Sequence, residues 1–326
     1  MKTCVFGCKS TTAYLVRNIL KWRTVDLVVT ISPETGRKNQ VADYTNLTTL
    51  CNELDVPVYV AKRYDLRAAE DLAYLEQAGL DVAFAVGWQR LIPQAVLQAF
   101  NVGVFGMHGS AEDLPFGRGR SPMNWALIER RRHFTTNLFR YDPGVDDGDV
   151  LDSLTFSIQS ADTAETMHFK NVMAMKELVL RNLDLLARGE FDLVPQSDEM
   201  PTFYPKRSPE DSQIDWTRDV FQLDAFVRAV AEPFGGAFSF LDEDLIRLHR
   251  VAILDTSLVD FGHNRQPWGC VVETFENGKF VIACNGGMLL VHEHEFVRDI
   301  SVGDQLKVVG ELKMFALNTR GHFDLP

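Results

Sequence analysis

Three features of this 326-residue chain predict an α/β fold followed by a small all-β domain. Through the first half, short Val- and Phe-rich runs alternate with amphipathic stretches. That alternation is the mark of βαβ units and of a mainly parallel sheet with helices on both faces. From Gly235 onward, short strands separated by turn pairs such as Asn277-Gly278 and Gly286-Gly287 predict a small antiparallel barrel. Between the two textures, a stretch holding Pro195, Pro201 and Pro205 keeps no period and reads as a linker. The expected domains are therefore residues 1–190, a linker over 191–206, and residues 207–326.

Taken in order, strands are expected at residues 4–6, 27–31, 56–60, 82–86 and 102–105, with amphipathic helices over 11–20, 39–54 and 66–77. Pro93 suits the first position of a helix over 93–100, where its missing N–H costs nothing. Ser121 and Pro122 suit the N-cap and first turn of the next helix. A strand over 135–141 and another over 151–158 follow, then a helix over 161–187 with Asp162 as N-cap, Glu165 completing a capping box and Gly189 as the stop. One further helix covers 221–231, and strands are expected at 237–240, 245–254, 268–275, 279–284, 288–296 and 305–309. The first half thus reads as a Rossmann-like layer and the second as an OB-like barrel.

Composition narrows the function. A hydrophobic share of 46% and a charged share of 24% suit a globular protein with a real core. No apolar run approaches the roughly 20 residues that cross a bilayer, and the N-terminus is too soon interrupted for a signal peptide. Five cysteines without a CxxC pair fit a reducing cytoplasm. The net charge of −12 repels a long polyanion, and the basic clusters, Arg130-Arg131-Arg132 and Lys206-Arg207, are short. No nucleic-acid or membrane partner is expected.

The stretch Val104–Asp149 concentrates the candidate chemistry. An apolar strand delivers a Gly106-Met107-His108-Gly109-Ser110 turn, and small neighbours let a ligand approach His108. A base needs an acidic partner to hold one tautomer, and Gly144-Val145-Asp146-Asp147-Gly148-Asp149 offers three carboxylates. This run is no EF-hand loop, because Gly falls where ligands are needed. A lone His and Asp after successive strands can meet at one sheet edge, where open α/β folds bind ligands. Arg118 and Arg120 lie in a Gly-rich loop entering a helix, a combination suited to an anion or to a merely solvated loop. Gly7-Cys8-Lys9-Ser10 lacks both GxGxxG and a P-loop. His292 and His294 share a strand face but find no further ligands at a metal-binding spacing, so no metal is expected.

Several of these motifs carry a resemblance. They are His108-Gly109-Ser110, Leu114-Pro115, Arg118-Gly119-Arg120, Pro122-Met123-Asn124-Trp125-Ala126-Leu127 and Gly144 to Asp149. Pro205 to Ser212, Ile214-Asp215-Trp216 and Val227 to Pro233 extend it. Together they resemble the folate-dependent formyltransferases, which include methionyl-tRNA formyltransferase and the sugar-nucleotide N-formyltransferases. The likeness is greatest to the formyltransferase domain acting on UDP-4-amino-arabinose. It implies transfer of a formyl group from 10-formyltetrahydrofolate to the amine of a nucleotide-linked amino sugar, in lipopolysaccharide or surface-glycan biosynthesis, and a homodimer through the C-terminal region. His108 and Asp146 match the family's catalytic His and Asp.

The resemblance sets folate against Val86, Gly87, Trp88, Arg90 and Leu91, beside Val145 and Asp146. The acceptor would meet Ser110, Arg118, Arg120, Asn124, Tyr204, Arg207 and Trp216. One departure stands out: the family's Asn, two residues before the His, is Gly106 here. Strand alternation puts Asn137 on the face that borders the site, so Asn137 is the first candidate to supply the missing amide. Asn124 is the second; a water, or room for a bulkier substrate, is the alternative. Methionyl-tRNA formyltransferase and a non-catalytic folate or nucleotide binder are the rival functions.

Overall fold

The computed structural model describes residues 1–256, 266–313 and 315. Two compact units divide the chain. The first holds Met1–Gly109, Thr135–Thr155 and Asn171–Pro201; the second holds Ser110–Phe134, Phe156–Lys170 and the described residues from Thr202 onward. The elements of the first half are β1 (Thr3–Phe6), α1 (Ser10–Ile19), β2 (Leu27–Thr30), α2 (Pro33–Lys38), α3 (Leu47–Glu53), β3 (Val58–Val60), α4 (Ala69–Ala78), β4 (Val82–Ala85), α5 (Gln94–Leu97) and β5 (Gly103–Ser110). Then come β6 (Arg118–Gly119), α6 (Pro122–Ile128), β7 (His133–Arg140), β8 (Val150–Ser157), α7 (Ala164–Arg188) and β9 (Phe203–Tyr204). The chain continues with α8 (Val220–Val230), β10 (Ala237–Leu241), β11 (Asp244–Asp255), β12 (Val271–Thr274), β13 (Phe280–Cys284), β14 (Gly287–Glu295) and β15 (Leu306–Lys307).

A seven-stranded sheet runs in the order β3-β2-β1-β4-β5-β7-β8, and the pairs from β3 to β5 are parallel. Strand alternation sends Cys4 and Phe6 to one face and Val5 to the other. One cluster joins Cys4, Phe6, Val29 and Val104 to Leu75 of α4 and Val96 of α5. The opposite cluster joins Val5, Val28, Phe84, Phe105 and Leu138 to Leu15 and Ile19 of α1, Leu50 of α3 and Leu178 of α7. Both faces are thus covered, as the continuous Val-rich runs require.

β5 and β7 are antiparallel. The Tyr141 N–H donates to the Val104 carbonyl at 2.7 Å, while Asn137 approaches the His108 carbonyl at 3.5 Å. The two contacts run in opposite senses along the strands, so Gly106 lies opposite Phe139.

In the second unit, a six-stranded antiparallel sheet has the order β12-β13-β14-β11-β10-β15. Its two edges meet: Cys270 bridges Gln305, and the Val271 N–H donates to the Asp304 carbonyl at 2.8 Å. The strip closes into a small barrel around Ile246, Leu248, Phe280, Ile282 and Leu289, with Leu223 and Val227 of α8 packed onto it. β6 and β9 form a separate parallel pair.

Several expected elements differ. Of the helix expected over 39–54 only Leu47–Glu53 is helical, because Asn46 caps Thr48 N and starts α3 there; α2, opened by Ser32 capping Thr35 N ahead of Pro33, lies before the expected span. The turn at 106–110 is instead a continuation of β5, which places His108 within a strand. Ser121 occupies the N-cap position with φ +56 and makes no capping bond. α7 begins at Ala164 rather than 161, where Thr163 and Thr166 exchange hydrogen bonds, and Asp162 instead binds Lys170 at 2.5 Å.

Within the first unit, α7 is tied to β8 by Asp152, which accepts from Arg181 at 2.5 and 2.6 Å and from Asn182 at 2.6 Å. Burial pushes this carboxyl up, but the Arg181 and Asn182 donors outweigh it and hold it below the usual range. A depressed carboxylate contributes stability above its unfolded value and loses it as pH falls through the folded one. Thermal unfolding of Asp152→Asn should therefore show a lower midpoint at neutral pH. It should also show a shallower fall than the parent below pH ~4, the range of free aspartate.

Candidate active site

β5 carries His108, 8% exposed, on the face it shares with Val104 and Gly106. The imidazole Nδ1 stands 3.3 Å from a carboxylate oxygen of Asp146. A carboxylate at Nδ1 fixes the tautomer that leaves the lone pair on Nε2. Asp146 reaches this position from a left-handed backbone, φ +52, in the turn between β7 and β8. Left-handed Asp is tolerated because its short side chain bonds locally.

The turn is braced from outside itself. Gln196 Nε2 donates to the Asp146 carbonyl at 2.8 Å and to the Gly148 carbonyl at 2.9 Å. Val194 and Val150 exchange backbone bonds of 2.8 Å just beside it. Gly148 is obligatory here, since a β-carbon would overlap the Arg140 carbonyl. Nothing in the sequence marks Gln196, a lone amide in a proline-rich stretch. The expected site residues of the turn are therefore held by a residue that was not expected.

Asn137 lies on the His108 face, but not over Gly106. Its amide nitrogen points to the His108 carbonyl and its oxygen accepts from Ser153 at 2.7 Å. The space over Gly106 is taken by Tyr141: a β-carbon at 106 would overlap ring carbons Cε1 and Cζ and the hydroxyl oxygen. Tyr141 stands opposite Val104, and from there an aromatic ring reaches the diagonal neighbour.

The loop after β4 is fixed by three polar contacts. Thr12 donates to the Val86 carbonyl at 2.6 Å, Cys8 to the Gly87 carbonyl at 3.4 Å, and the Gln89 N–H to the Tyr64 hydroxyl at 3.2 Å. Trp88 is a packing residue, edge-on to Phe6 at 5.8 Å and to Tyr64 at 5.0 Å. Leu91 and Val145 are apolar and exposed at 60% and 46%. Arg90 lies over the Tyr64 ring and binds Asn39 at 3.0 Å. With Lys38, Lys62 and Arg63 it lines a cleft of about 440 Å³ beyond the carboxyl ends of β2, β3 and β4.

The remaining expected site residues belong to the second unit. Ser110 is buried and accepts from Glu112 N at 3.1 Å. Arg118 is 9% exposed, and Arg120 is on the surface. Three residues expected at an acceptor have their polar atoms committed to the fold. The Asn124 amide donates to the Ala229 carbonyl at 2.6 Å, Tyr204 donates to Glu129 at 2.8 Å, and the Trp216 indole to Ser239 at 3.0 Å inside the barrel core. Asn124 braces α6 against α8, so its amide is not the replacement expected at Gly106. Arg207 donates to the Asp211 carbonyl and packs over Trp125, Phe226 and Phe315 at 5.0–5.7 Å.

Among the described residues no group of three or more His, Cys, Asp or Glu is placed to hold a metal, and no helix is long and apolar enough to cross a membrane. Removing the Gln196 clamp should loosen the acidic turn selectively. Hydrogen exchange on Gln196→Ala should show amides of residues 144–149 exchanging roughly tenfold faster, the effect of ~1.4 kcal/mol, with β1 amides unchanged.

Comparison with known proteins bears on the family and the fold. Residues 5–183 match the formyl transferase family, and residues 206–302 match the formyl transferase C-terminal domain. A Helicobacter canadensis N-formyltransferase solved with folinic acid and dTDP-3-aminofucose is similar in fold, with TM-score 0.66 at 16% identity over 90% of this chain and 100% of that one. The sugar 3N-formyl transferase WlaRD, solved with dTDP and 5-N-formyl-THF, gives 0.65 at 15% identity over 89% and 96%. HypX from Aquifex aeolicus, solved with tetrahydrofolic acid, gives 0.60 at 20% identity over 91% of this chain and 44% of the longer HypX. With family matches spanning both halves, and a His–Asp pair on the sheet they cover, the chain belongs to the formyl transferase family.

Proposed function

We propose that this protein transfers the formyl group of 10-formyltetrahydrofolate to the amine of a nucleotide-linked amino sugar. The observation that carries the reading is the His108–Asp146 pair at 3.3 Å within a formyl transferase fold. Formyl transfer from a folate to an amine needs a base for the amine proton and an acid for the departing nitrogen. His108 Nε2 can take the first proton and return it to the second site, with Asp146 stabilising the imidazolium between the two events. A general base of this kind contributes roughly 10²–10⁴ in rate.

Folate would supply the formyl carbon and bring its own carboxylates. In the cleft, where Asp65 pairs with Arg63 at 2.8 Å, Lys38, Lys62 and Arg90 offer these carboxylates positive charge in a chain whose net charge is −12. Leu91 and Val145 offer exposed apolar contacts for the pterin. For the acceptor, Arg120 and Arg118 are the candidate partners of phosphate. The acidic net charge favours a small phosphorylated acceptor over tRNA, and two neighbours of similar fold were solved with dTDP or a dTDP-sugar.

The test is a formylation assay with 10-formyltetrahydrofolate against a panel of UDP-, dTDP-, GDP- and CMP-linked amino sugars, with initiator Met-tRNA in parallel. Formylation of a sugar nucleotide alone is the expected result. Transfer to Met-tRNA alone, or to nothing, overturns the reading. In the active pair, His108→Ala should lower kcat by at least about 10²-fold. Arg90→Ala should raise the KM for the folate several-fold and leave kcat within about twofold, as loss of uniform binding does.

A further inference from the structure

Acyl-type transfer asks for one thing that His108 and Asp146 do not supply together. When the amine nitrogen bonds to the formyl carbon, the carbonyl π pair moves onto oxygen, and that oxygen needs a donor. When the carbonyl re-forms, the bond to N10 breaks, and N10 takes the proton that His108 Nε2 received from the amine. A single preorganised donor to such an oxygen is worth about 10²–10³ in rate.

The face of β5 that bears His108 has Gly106 two residues earlier, and the space over that glycine is filled by the ring and hydroxyl of Tyr141. The position is tightly held. The Tyr141 backbone donates to Val104 at 2.7 Å, and its ring lies 5.4 Å from Phe139 at 41°. The ring packs against the cluster that includes Val104 and Phe6. The phenol makes no hydrogen bond to any described residue. The residue is half-buried, and a hydroxyl uncommitted to the fold, two residues along the strand from His108, is available to donate to a bound group. Gly106 is what admits it, because any larger residue there would displace the ring.

We propose that Tyr141 is a catalytic residue of this formyl transfer, its phenol O–H donating to the formyl oxygen as negative charge gathers there. The inference rests on the formyl-transfer reading above. The phenol is suited to the part. Burial pushes it above its ordinary value and the nearby Asp146 charge pushes it further, so it stays protonated as a donor throughout the working range.

The test pairs turnover with binding. Tyr141→Phe keeps the ring and its packing and removes only the O–H. It should lower kcat about 10²-fold with both KM values within about twofold. Binding is read by calorimetry with 10-formyl-5,8-dideazafolate and its unformylated parent. Wild type should favour the formylated compound, and Tyr141→Phe should bind both equally. Gly106→Asn combined with Tyr141→Ala, which puts a carboxamide where the ring was, should recover at least tenfold in kcat over Tyr141→Ala alone. Wild-type turnover and an intact formyl preference in Tyr141→Phe would overturn the assignment while leaving formyl transfer standing. If wild type binds neither compound and transfers no formyl group, the folate reading itself fails, and the role of Tyr141 with it.

Discussion

The pairing of β5 with β7 is the constraint on which the site depends. One backbone bond, from the Tyr141 N–H to the Val104 carbonyl, marks its register. In that register His108, Gly106, Asn137 and Tyr141 present to one face, while Phe105 and Leu138 enter the opposite core. A slip of one residue would turn every side chain over and put His108 into the apolar cluster beside α1 and α7. The buried phenylalanines of these strands therefore set the geometry of the candidate site as much as they set stability.

Much of the fold could be read from periodicity, and the reasons for the misses are local. The Val-rich runs declared parallel, doubly covered strands, and the later alternation with Gly-containing turns declared the barrel. The helix over 39–54 failed in its first half because apolar spacing continues through residues 39–46, while the helix itself starts only where Asn46 caps Thr48 N. His108 appeared to lie in a turn because Gly-Met-His-Gly-Ser looks like one; its neighbour β7 keeps it extended. Glycine permits a turn but does not impose it.

The chemical residues divide in the same way. His108 and Asp146 were legible because residue type and placement at one edge of the sheet already limit what they can do. Asn124, Tyr204 and Trp216 looked equally exposed to function, yet their polar atoms are spent on Ala229, Glu129 and Ser239. A buried polar group must find a partner, and the sequence does not say whether that partner is a ligand or the fold. Tyr141 and Gln196 were invisible for the opposite reason: each acts through a contact distant in sequence, over Gly106 or onto the acidic turn, that no local pattern announces.

The segment that clamps the acidic turn has a second effect on the molecule. β8 is the last strand of the seven-stranded sheet, and a free edge strand is a template for pairing with another chain. At Val150 that edge is already occupied, because Val194 exchanges both backbone bonds with it. The strand opens with its outer hydrogen-bonding positions filled, and the ion pair of Asp152 with Arg181 stands directly beyond. The segment that holds a carboxylate in place thereby also occupies the first hydrogen-bonding positions of that edge.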